Sequence, residues 1–552
     1  MTSTAVEQRE WRWVWKYASA VVFISTIPYL LGFAMQGEEW RFTGFVFAVE
    51  DGNSYIAKMM SGSYGSWLFR SPYTVHFQKG ALFFLPYILL GKLAYGQGLH
   101  EQLVVLYHLF RIVAGILMIG ASYGFISCFV KDLFWRRVGL ILATIGGGLG
   151  WTLSLFGKAT WLGSIPLEYY SPESFGFLSL YGLPHLAFAR AMLLWGFVEY
   201  FSMFENQDGV GSRFVSEKLR FWQRGENRVG FYWFLLSLFQ PIFVVIGWAV
   251  LAVHWVLIVL LSRKDRVSTI RTNISRGQYL FYSILISSPM IVYTFIETVL
   301  DPYIKSWSEQ NILFSPHPLH YLLAYGLLLP ALFLGGIRLI REKSIRGLCL
   351  LGWIAIFPIL VYVPINMQRR FAESIWIVLV TVCMKGIGNI WRQRPGLHKL
   401  AALSMIALSL PSTISLWIGG ISATSHPSLP VFREFDEVCA FEYFQKDEMK
   451  GKAVLASYMT SNALVAWAPV RVIVGHGPES KDLPSMMEIS TKFFDLDLSD
   501  SERRDFLKEE GIGYIFWGPN EKILGRWNPD TAPYLSKVFE RGENEIYLVL
   551  EH

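Results

Sequence analysis

A carboxylate pair near the N-terminus is the first place where this sequence suggests chemistry. Glu50 and Asp51 lie just beyond the first hydrophobic segment, in the stretch 49–59, which is too polar to cross a bilayer. A carboxylate at the boundary between water and membrane is accessible to a lipid headgroup and to a soluble substrate, and it can accept a proton from a hydroxyl group. The pair therefore contains a candidate general base.

The composition indicates that a membrane surrounds this pair. Hydrophobic residues make up 53% of the 552 residues and charged residues only 17%, whereas an average soluble domain has about 25% charged residues. Apolar stretches of about 20 residues, the length needed to cross the hydrocarbon core, recur through most of the chain. The net charge of +6 does not indicate nucleic-acid binding, because the basic residues lie in short loops between apolar stretches. We therefore predict a polytopic membrane protein.

The apolar stretches predict an all-α membrane region over residues 1–422 with about eleven transmembrane helices. A large first outer loop is expected at about 36–102, and within it a short apolar run, 81–93, is interrupted by Pro86 and is expected to lie in the membrane interface. The predicted spans are 14–35, 103–130, 138–156, 186–204, 230–244, 246–261, 279–300, 321–340, 348–364, 372–390 and 401–421.

The charges of the loops predict the orientation. Loops rich in Lys and Arg alternate with loops that contain few, and the positive-inside bias places the rich loops in the cytoplasm. These predicted cytoplasmic clusters are 131–137, 213–228, 263–276, 338–346 and 392–399. Arg9, Arg12 and Lys16 precede the first span and place the N-terminus in the cytoplasm. An odd number of spans then places the first loop and the C-terminal region outside together.

Residues 423–552 are soluble in composition and alternate short strand-like and helical runs. Strands are expected at 452–457, 470–474, 513–517, 536–540 and 545–550, and a helix at 500–510, which predicts a small α/β domain with one sheet. The segment 475–479 follows a strand, but it lacks the full glycine pattern of a phosphate-binding loop and contains a proline, so nucleotide binding is disfavoured. The four cysteines provide neither a disulfide framework nor a metal site.

Several motifs resemble a known enzyme class. Asp51 is followed four residues later by Tyr55, and later predicted outer loops carry Glu173, His185 and Arg370. This pattern resembles the GT-C class of membrane glycosyltransferases, and more narrowly the bacterial relatives of protein O-mannosyltransferases and aminoarabinose transferases. The resemblance implies a polyprenyl-phosphate-linked sugar as donor, and Asp51 rather than Glu50 as the general base. It also implies transfer to a protein, lipid or polysaccharide acceptor at the outer face of the bacterial plasma membrane.

Transfer from a lipid phosphate to a hydroxyl needs cations as well as a base, because negative charge develops on the departing phosphate. Arg370 and Arg369 are candidates, since guanidinium groups bind phosphate oxygens in a bidentate manner and basic residues are otherwise disfavoured in outer loops. His76 and Lys79 precede the interfacial run, where they could contact the carrier phosphate or simply anchor the loop.

Helical spacing predicts that Tyr55 and Lys58 share a face with Asp51 and could line the substrate cavity. Glu173 and His185 are expected to line it from the second outer loop. In related oligosaccharyltransferases, acids of this loop hold a divalent metal together with the first-loop Asp, so Mg²⁺ or Mn²⁺ stays an open alternative, although the mannosyltransferase-like branch implies no required cofactor.

Three alternative interpretations remain, one structural and two functional. Asp51 or Asn53 could act only as the N-cap of a helix over 54–60. A transporter or lipid flippase would also have many spans, but it usually shows pseudo-repeated halves with interrupted helices at matching positions, and the sequence shows neither. A non-catalytic envelope-assembly protein is a third alternative, against which the outer Asp51 and Arg370 argue. We therefore predict a glycosyltransferase that uses a lipid-linked hexosyl or pentosyl donor.

Overall fold

The computed structural model describes residues 6–202, 225–261, 266–390 and 395–550, so the predicted cytoplasmic charges at 213–224, 263–264 and 392–394 lie outside the described residues. Helices dominate the chain before the C-terminal region, because a helix satisfies its own backbone hydrogen bonds in an apolar environment. These helices are Gln8–Met35, Val49–Ser63, Leu85–Gly91, Leu99–Ser127, Leu133–Ile145, Trp151–Leu155, Gly176–Gly182, Pro184–Ser202, Gly225–Ser237, Pro241–Leu261, Arg266–Ser287, Pro289–Leu300, Pro302–Gln310, Pro318–Tyr325, Leu329–Arg341, Ile345–Leu360, Ile375–Ile390, Pro395–Ser409 and Pro411–Ser425.

A helix lies at each predicted span of the described chain, but not every one has the length and hydropathy of a membrane span. Among the described residues, five helices are long and apolar enough to cross a membrane, or up to seven if each of two bent pairs is one span. The bent pairs resume at Pro289 and at Pro411, with angles of 53° and 41°, because proline cannot continue the helical hydrogen-bond ladder. The chain is a multi-pass membrane protein, and the number eleven stays a prediction.

Glycine and proline explain where helix boundaries differ from the predicted ones. The predicted span 138–156 is broken after Ile145 by a glycine-rich segment, whereas the turn that Gln240-Pro241 predicts between the spans 230–244 and 246–261 is present directly before Pro241. Within the run 81–93 the helix covers only Leu85–Gly91, and Pro86 lies in its first turn. Proline is tolerated there, since the amides of the first turn have no partner within the helix. Pro86 therefore helps to begin the helix and does not interrupt it.

The glycine-rich segment 146–150 allows close packing of the backbone. A Cβ atom added at Gly148 would lie 2.4 Å from the carbonyl oxygen of Ala324. The same holds in helix Leu329–Arg341, where a Cβ at Gly335 would lie 2.0 Å from the carbonyl oxygen of Val382. Only glycine allows these backbones to approach so closely.

The chain divides into two compact units. The first comprises Met1–Thr26, Phe110–Phe295 and Leu313–Ile418, and the second comprises Ile27–Leu109, Ile296–Ile312 and Gly419–His552. The second unit thus contains most of the predicted first loop together with the C-terminal region. In this unit strand β1 (Trp40–Phe42) pairs antiparallel with β2 (Phe432–Glu434), which joins those two distant parts of the sequence.

The C-terminal region folds around a five-stranded sheet within the described residues, which agrees with the predicted alternation of strands and helices. Its strands are β3 (Ala453–Leu455), β4 (Arg471–Val472), β5 (Tyr514–Trp517), β6 (Leu535–Arg541) and β7 (Asn544–Val549), in the order β4-β3-β5-β7-β6. Its helices are Phe435–Tyr443, Tyr458–Trp467, Leu483–Phe493, Asp500–Glu509 and Pro519–Leu524. Because β3 runs parallel to both β4 and β5, the carboxyl ends of these three strands meet at one edge, which is where α/β proteins commonly bind ligands.

Candidate active site

The carboxylate pair lies in the first turn of helix Val49–Ser63, here named the acidic helix. The helix follows Ala48, which has a left-handed conformation with φ of 46°, and no described side chain caps its N-terminus. Because Asp51 and Asn53 lie inside the helix, the alternative prediction that either residue is its N-cap is wrong. The Asp51 side chain is 57% exposed, and its position in the first turn is electrostatically favourable for a carboxylate.

A histidine from the C-terminal sheet contacts Asp51. The segment 475–480, here named the histidine loop, follows β4 at its carboxyl end. Nε2 of His476 lies 3.1 Å from Oδ1 of Asp51, although only 9% of the histidine side chain is exposed. Its Nδ1 lies 3.4 Å from Oε1 of Glu479. One buried imidazole therefore lies between two carboxylates.

A buried ion pair joins the histidine loop to the acidic helix. Nζ of Lys58 lies 2.7 Å from Oε1 of Glu479 and 2.7 Å from Oγ of Ser54. Burial lowers the pKa of Lys58, and the nearby Glu479 carboxylate opposes that change. Helical spacing predicts that Lys58 lies on the face of Asp51. The structure shows that the charged group of Lys58 is buried in the protein interior. Removal of one partner of such a pair is strongly destabilising, because it leaves an uncompensated buried charge.

Hydrogen bonds to the backbone further fix the histidine loop. The carbonyl of Glu479 accepts hydrogen bonds from the hydroxyl groups of Ser71, at 3.2 Å, and Tyr303, at 2.9 Å. The side-chain amide of Gln310 donates to the carbonyl of Ser480 at 2.9 Å. The loop is therefore held by the first-loop region and by helix Pro302–Gln310 as well as by Lys58.

Glu50 has different partners from Asp51. The hydroxyl group of Tyr458, which directly follows the N-cap residue after β3, donates to Oε1 of Glu50. The backbone N–H of Gly477 donates to the same hydroxyl at 3.0 Å. Burial and the Glu50 carboxylate raise the pKa of Tyr458, which keeps this side chain a proton donor. Glu50 therefore interacts with a neutral hydroxyl, whereas Asp51 faces an imidazole.

The other first-loop candidates lie in varied surroundings. The ring of Tyr55 stacks on Tyr87, with centroids 4.8 Å apart. His76 is half-buried, and its backbone N–H donates to the hydroxyl of Thr74 at 3.3 Å. Lys79 is exposed. Contacts with substrate stay predictions for these side chains.

The arginine pair lies in the other compact unit. Nη1 of Arg370 donates to Oε1 of Gln240 at 3.3 Å and lies 4.0 Å from Oε1 of Glu173. The guanidinium of Arg369 lies over the ring of Tyr170, 4.7 Å from its centroid. Nε of both arginines is buried without a hydrogen-bond acceptor among the described residues. A buried donor without an acceptor is costly, so an anionic ligand at this place would be stabilising.

A second buried ion pair fixes the segments around Arg370. The guanidinium of Arg190 contacts the two carboxylate oxygens of Glu373 at 2.5 and 3.0 Å, and both side chains are almost completely buried. Arg190 also donates to the carbonyls of Pro172, at 2.6 Å, and Glu173, at 3.2 Å. One side chain therefore holds the Glu173 segment and the residue three positions after Arg370, with the bidentate geometry that arginine favours.

His185, the remaining candidate, is buried at the start of helix Pro184–Ser202 in this same unit. Throughout 6–202, 225–261, 266–390 and 395–550, no group of three or more His, Cys, Asp or Glu side chains is arranged to hold a metal ion. The alternative of Mg²⁺ or Mn²⁺ dependence stays a matter for experiment.

Sequence reasoning missed His476, Glu479 and Tyr458. A usable signal exists, because Tyr458 and His476 directly follow two strand-like runs with a helix between them. Such a unit is usually parallel, and the carboxyl ends of its strands meet at one edge. The glycine pattern of 475–479 is evidence only for or against phosphate binding. It does not predict that the imidazole of His476 contacts the acidic helix.

Comparisons with solved structures identify the fold. No protein-family model matches the sequence, and no curated protein matches it significantly. Among solved structures, the chain is similar to the Archaeoglobus fulgidus oligosaccharyltransferase in the apo form, with a TM-score of 0.54, 11% identity, and coverage of 95% of this chain and 73% of that one. It is also similar to arabinofuranosyltransferase AftD from mycobacteria, with a TM-score of 0.56 and 14% identity. The chain has a GT-C fold.

The predicted resemblance to GT-C membrane glycosyltransferases is thus confirmed at the level of the fold. The match to AftD covers 100% of this chain but only 42% of that one. A third similar structure is the archaeal oligosaccharyltransferase AglB from A. fulgidus in complex with an inhibitory peptide and a dolichol-phosphate, with a TM-score of 0.53, 11% identity, and coverage of 94% of this chain and 72% of that one.

Proposed function

We propose that this chain is a membrane glycosyltransferase that moves a hexosyl or pentosyl unit from a polyprenyl-phosphate carrier to an acceptor at the outer face of the bacterial plasma membrane. The observation that carries the proposal is the exposed Asp51 carboxylate, held 3.1 Å from His476 in the first turn of the acidic helix, in a chain with a GT-C fold. The AglB structure that contains a dolichol-phosphate supports a lipid-linked donor by analogy of fold.

In the proposed reaction, Asp51 accepts the proton of the acceptor hydroxyl while the hydroxyl oxygen attacks the anomeric carbon. The bond between that carbon and the carrier phosphate oxygen breaks, and the phosphate leaves with the electron pair. Arg370 is proposed to stabilise the departing phosphate, because a guanidinium can donate two parallel hydrogen bonds to its oxygens. The further candidates for phosphate contact are Arg369, His76 and Lys79, and those for the substrate cavity are Tyr55, Glu173 and His185.

The Asp51→Asn variant tests the proposal. It keeps the size of the side chain but cannot accept the proton, so turnover should fall about 10²–10⁴-fold while donor binding is retained. Glu50→Gln alters the adjacent carboxylate and is the matched control, which should retain most turnover. The measurement is the consumption of a polyprenyl-linked sugar pool in membranes that contain equal amounts of each variant, since this readout requires no knowledge of the acceptor.

Each other outcome has a definite meaning. If Glu50→Gln is inactive and Asp51→Asn is active, Glu50 is the base. If both variants are as active as the wild type, the glycosyltransferase proposal is wrong and the transporter alternative gains support. Treatment of the same membranes with a chelator, followed by Mg²⁺ or Mn²⁺, determines whether a divalent metal contributes.

The proposed topology has eleven spans, a cytoplasmic N-terminus, a membrane region at 1–422 and an outer domain at 423–552. It can be tested by cysteine labelling in a variant that lacks the two half-buried cysteines, Cys128 and Cys439. Ser501→Cys, at an exposed position of the C-terminal region, should react with a membrane-impermeant maleimide in intact spheroplasts. Lys131→Cys, also at an exposed position, should react only after lysis. The reverse pattern would invert the topology.

A further inference from the structure

His476 is a buried imidazole in a fixed orientation. Its ring lies against that of Tyr73, with centroids 5.4 Å apart, and Tyr73 is completely buried. Its two nitrogen atoms face Asp51 and Glu479 at 3.1 and 3.4 Å. Glu479 is in turn fixed by Lys58 at 2.7 Å. The four side chains form a series of carboxylate, imidazole, carboxylate and ammonium groups that runs from the protein surface into its interior.

This series has a consequence for Asp51. An exposed carboxylate can adopt several rotamers, and only some of them direct an oxygen at an incoming hydroxyl group. A hydrogen bond from a donor that is itself immobile selects one rotamer before the substrate arrives, which lowers the entropic part of the barrier. His476 can be such a donor when Nε2 carries the proton, because its ring is packed and its loop is fixed. Lys58 ties the loop to the acidic helix, and the Glu479 carbonyl of the loop accepts hydrogen bonds from the hydroxyl groups of Ser71 and Tyr303.

We propose that His476 is a positioning residue for Asp51: its Nε2–H group donates a hydrogen bond to Oδ1 of Asp51 and holds the carboxylate in the orientation that accepts the acceptor proton. The C-terminal sheet thereby contributes directly to the catalytic machinery of the first loop. The inference rests on the proposed function, since it assigns His476 no role apart from the action of Asp51 as a base.

Two substitutions of His476 separate hydrogen bonding from packing. His476→Phe keeps an aromatic ring against Tyr73 but removes the donor, whereas His476→Gln carries an amide N–H group that reaches the place of Nε2. We expect His476→Phe to lower kcat about 10–100-fold, because small misplacements of a catalytic group have effects of that size. The KM for the lipid-linked donor should stay within about threefold, and His476→Gln should recover most of kcat. A purely structural role predicts instead that both variants lose folded protein and activity in parallel.

A double variant provides the sharper test. If His476 acts only through Asp51, His476→Phe should cause no further loss of turnover in the Asp51→Asn background, since residues that act as a unit are not additive. Multiplicative losses in the double variant would overturn the inference. Wild-type kcat in His476→Phe would also overturn it and would leave the proposed function intact, provided that Asp51→Asn is inactive. An active Asp51→Asn variant would instead contradict the proposed function itself.

The positioning role can still be tested if His476→Phe does not fold. In that case His476→Gln is compared with His476→Asn, whose shorter amide reaches the place of Nδ1 but not that of Nε2. We then expect His476→Gln to retain at least about tenfold more turnover than His476→Asn at equal membrane abundance, an effect in the same range as the misplacement of a catalytic group. Equal turnover of these two variants would overturn the positioning role.

Discussion

The regions around Asp51 and Arg370 each contain a buried ion pair beside a more exposed charged group, but the exposed group is negative in the region of Asp51 and positive in that of Arg370. In the second unit a buried pair, Lys58 and Glu479, supports an exposed carboxylate, Asp51. In the first unit a buried pair, Arg190 and Glu373, supports a partly exposed guanidinium, Arg370. In each region the tight pair holds backbone in place, and the more exposed group is the one available for chemistry.

The exposed groups are also held differently. Asp51 lies 3.1 Å from the buried imidazole of His476, whereas Arg370 lies 4.0 Å from Glu173, at the limit of an ion pair. A base must have one orientation when it accepts a proton, so a firm hydrogen bond is useful to it. A cation that binds a phosphate must instead keep donors for its ligand, and weak protein contacts leave it able to do so. The difference supports the separate roles proposed for the two groups.

The largest expected effects on stability come from breaking the buried pairs. Lys58→Met leaves Glu479 buried and uncompensated, and Arg190→Met does the same to Glu373. Each substitution should lower the free energy of unfolding by about 3–5 kcal/mol. Thermal unfolding of the detergent-purified variants measures this. Lys492→Met is the matched control, because the Lys492–Glu488 pair is exposed and its loss should hardly change the melting temperature. Equal melting temperatures for all three variants would remove the structural role of the buried pairs.

Arg370→Ala has the next largest expected effect, and it acts on ligand binding rather than on stability. Loss of a charge-assisted hydrogen bond to phosphate should weaken donor binding by about 1.5–3 kcal/mol. Arg370→Lys should lose less than the alanine variant, since it retains the charge without the bidentate fork. Binding of a polyprenyl phosphate to purified variants checks this, with Arg341→Ala, at an exposed position, as the control. Wild-type affinity in Arg370→Ala would remove Arg370 from the phosphate site.

The smallest expected effect concerns Glu173. Its buried carboxylate lies 4.0 Å from the Arg370 guanidinium, too far for a hydrogen bond, so we expect the pair to contribute only about 1 kcal/mol. Glu173→Gln removes this competition for Arg370, so donor phosphate should bind up to about fivefold more tightly, as that energy implies. Isothermal titration with a polyprenyl phosphate measures the change. Weaker binding would show that Glu173 contacts the donor itself and does not merely compete for the arginine.

The local part of the fold is predictable from the sequence. Helix positions follow from apolar composition, and the strand predicted at 513–517 is present as Tyr514–Trp517. Errors concentrate where glycine alters a boundary, as after Ile145. The candidate base is also a local prediction, since an acidic residue just beyond a hydrophobic span is visible without any tertiary contact.

The surroundings of that base are not predictable in the same way. Helical spacing places Lys58 on the face of Asp51, but the spacing cannot tell whether this face meets solvent or protein. The answer depends on Glu479, 421 residues away in the sequence, and on His476, which is 425 residues from Asp51. Composition and periodicity describe residues a few positions apart, and so they determined the apolar helices, most strands of the sheet and the candidate acid. Only the tertiary structure decided which charges are buried together, because the free energy of a buried charge is set by the partner that folding brings to it.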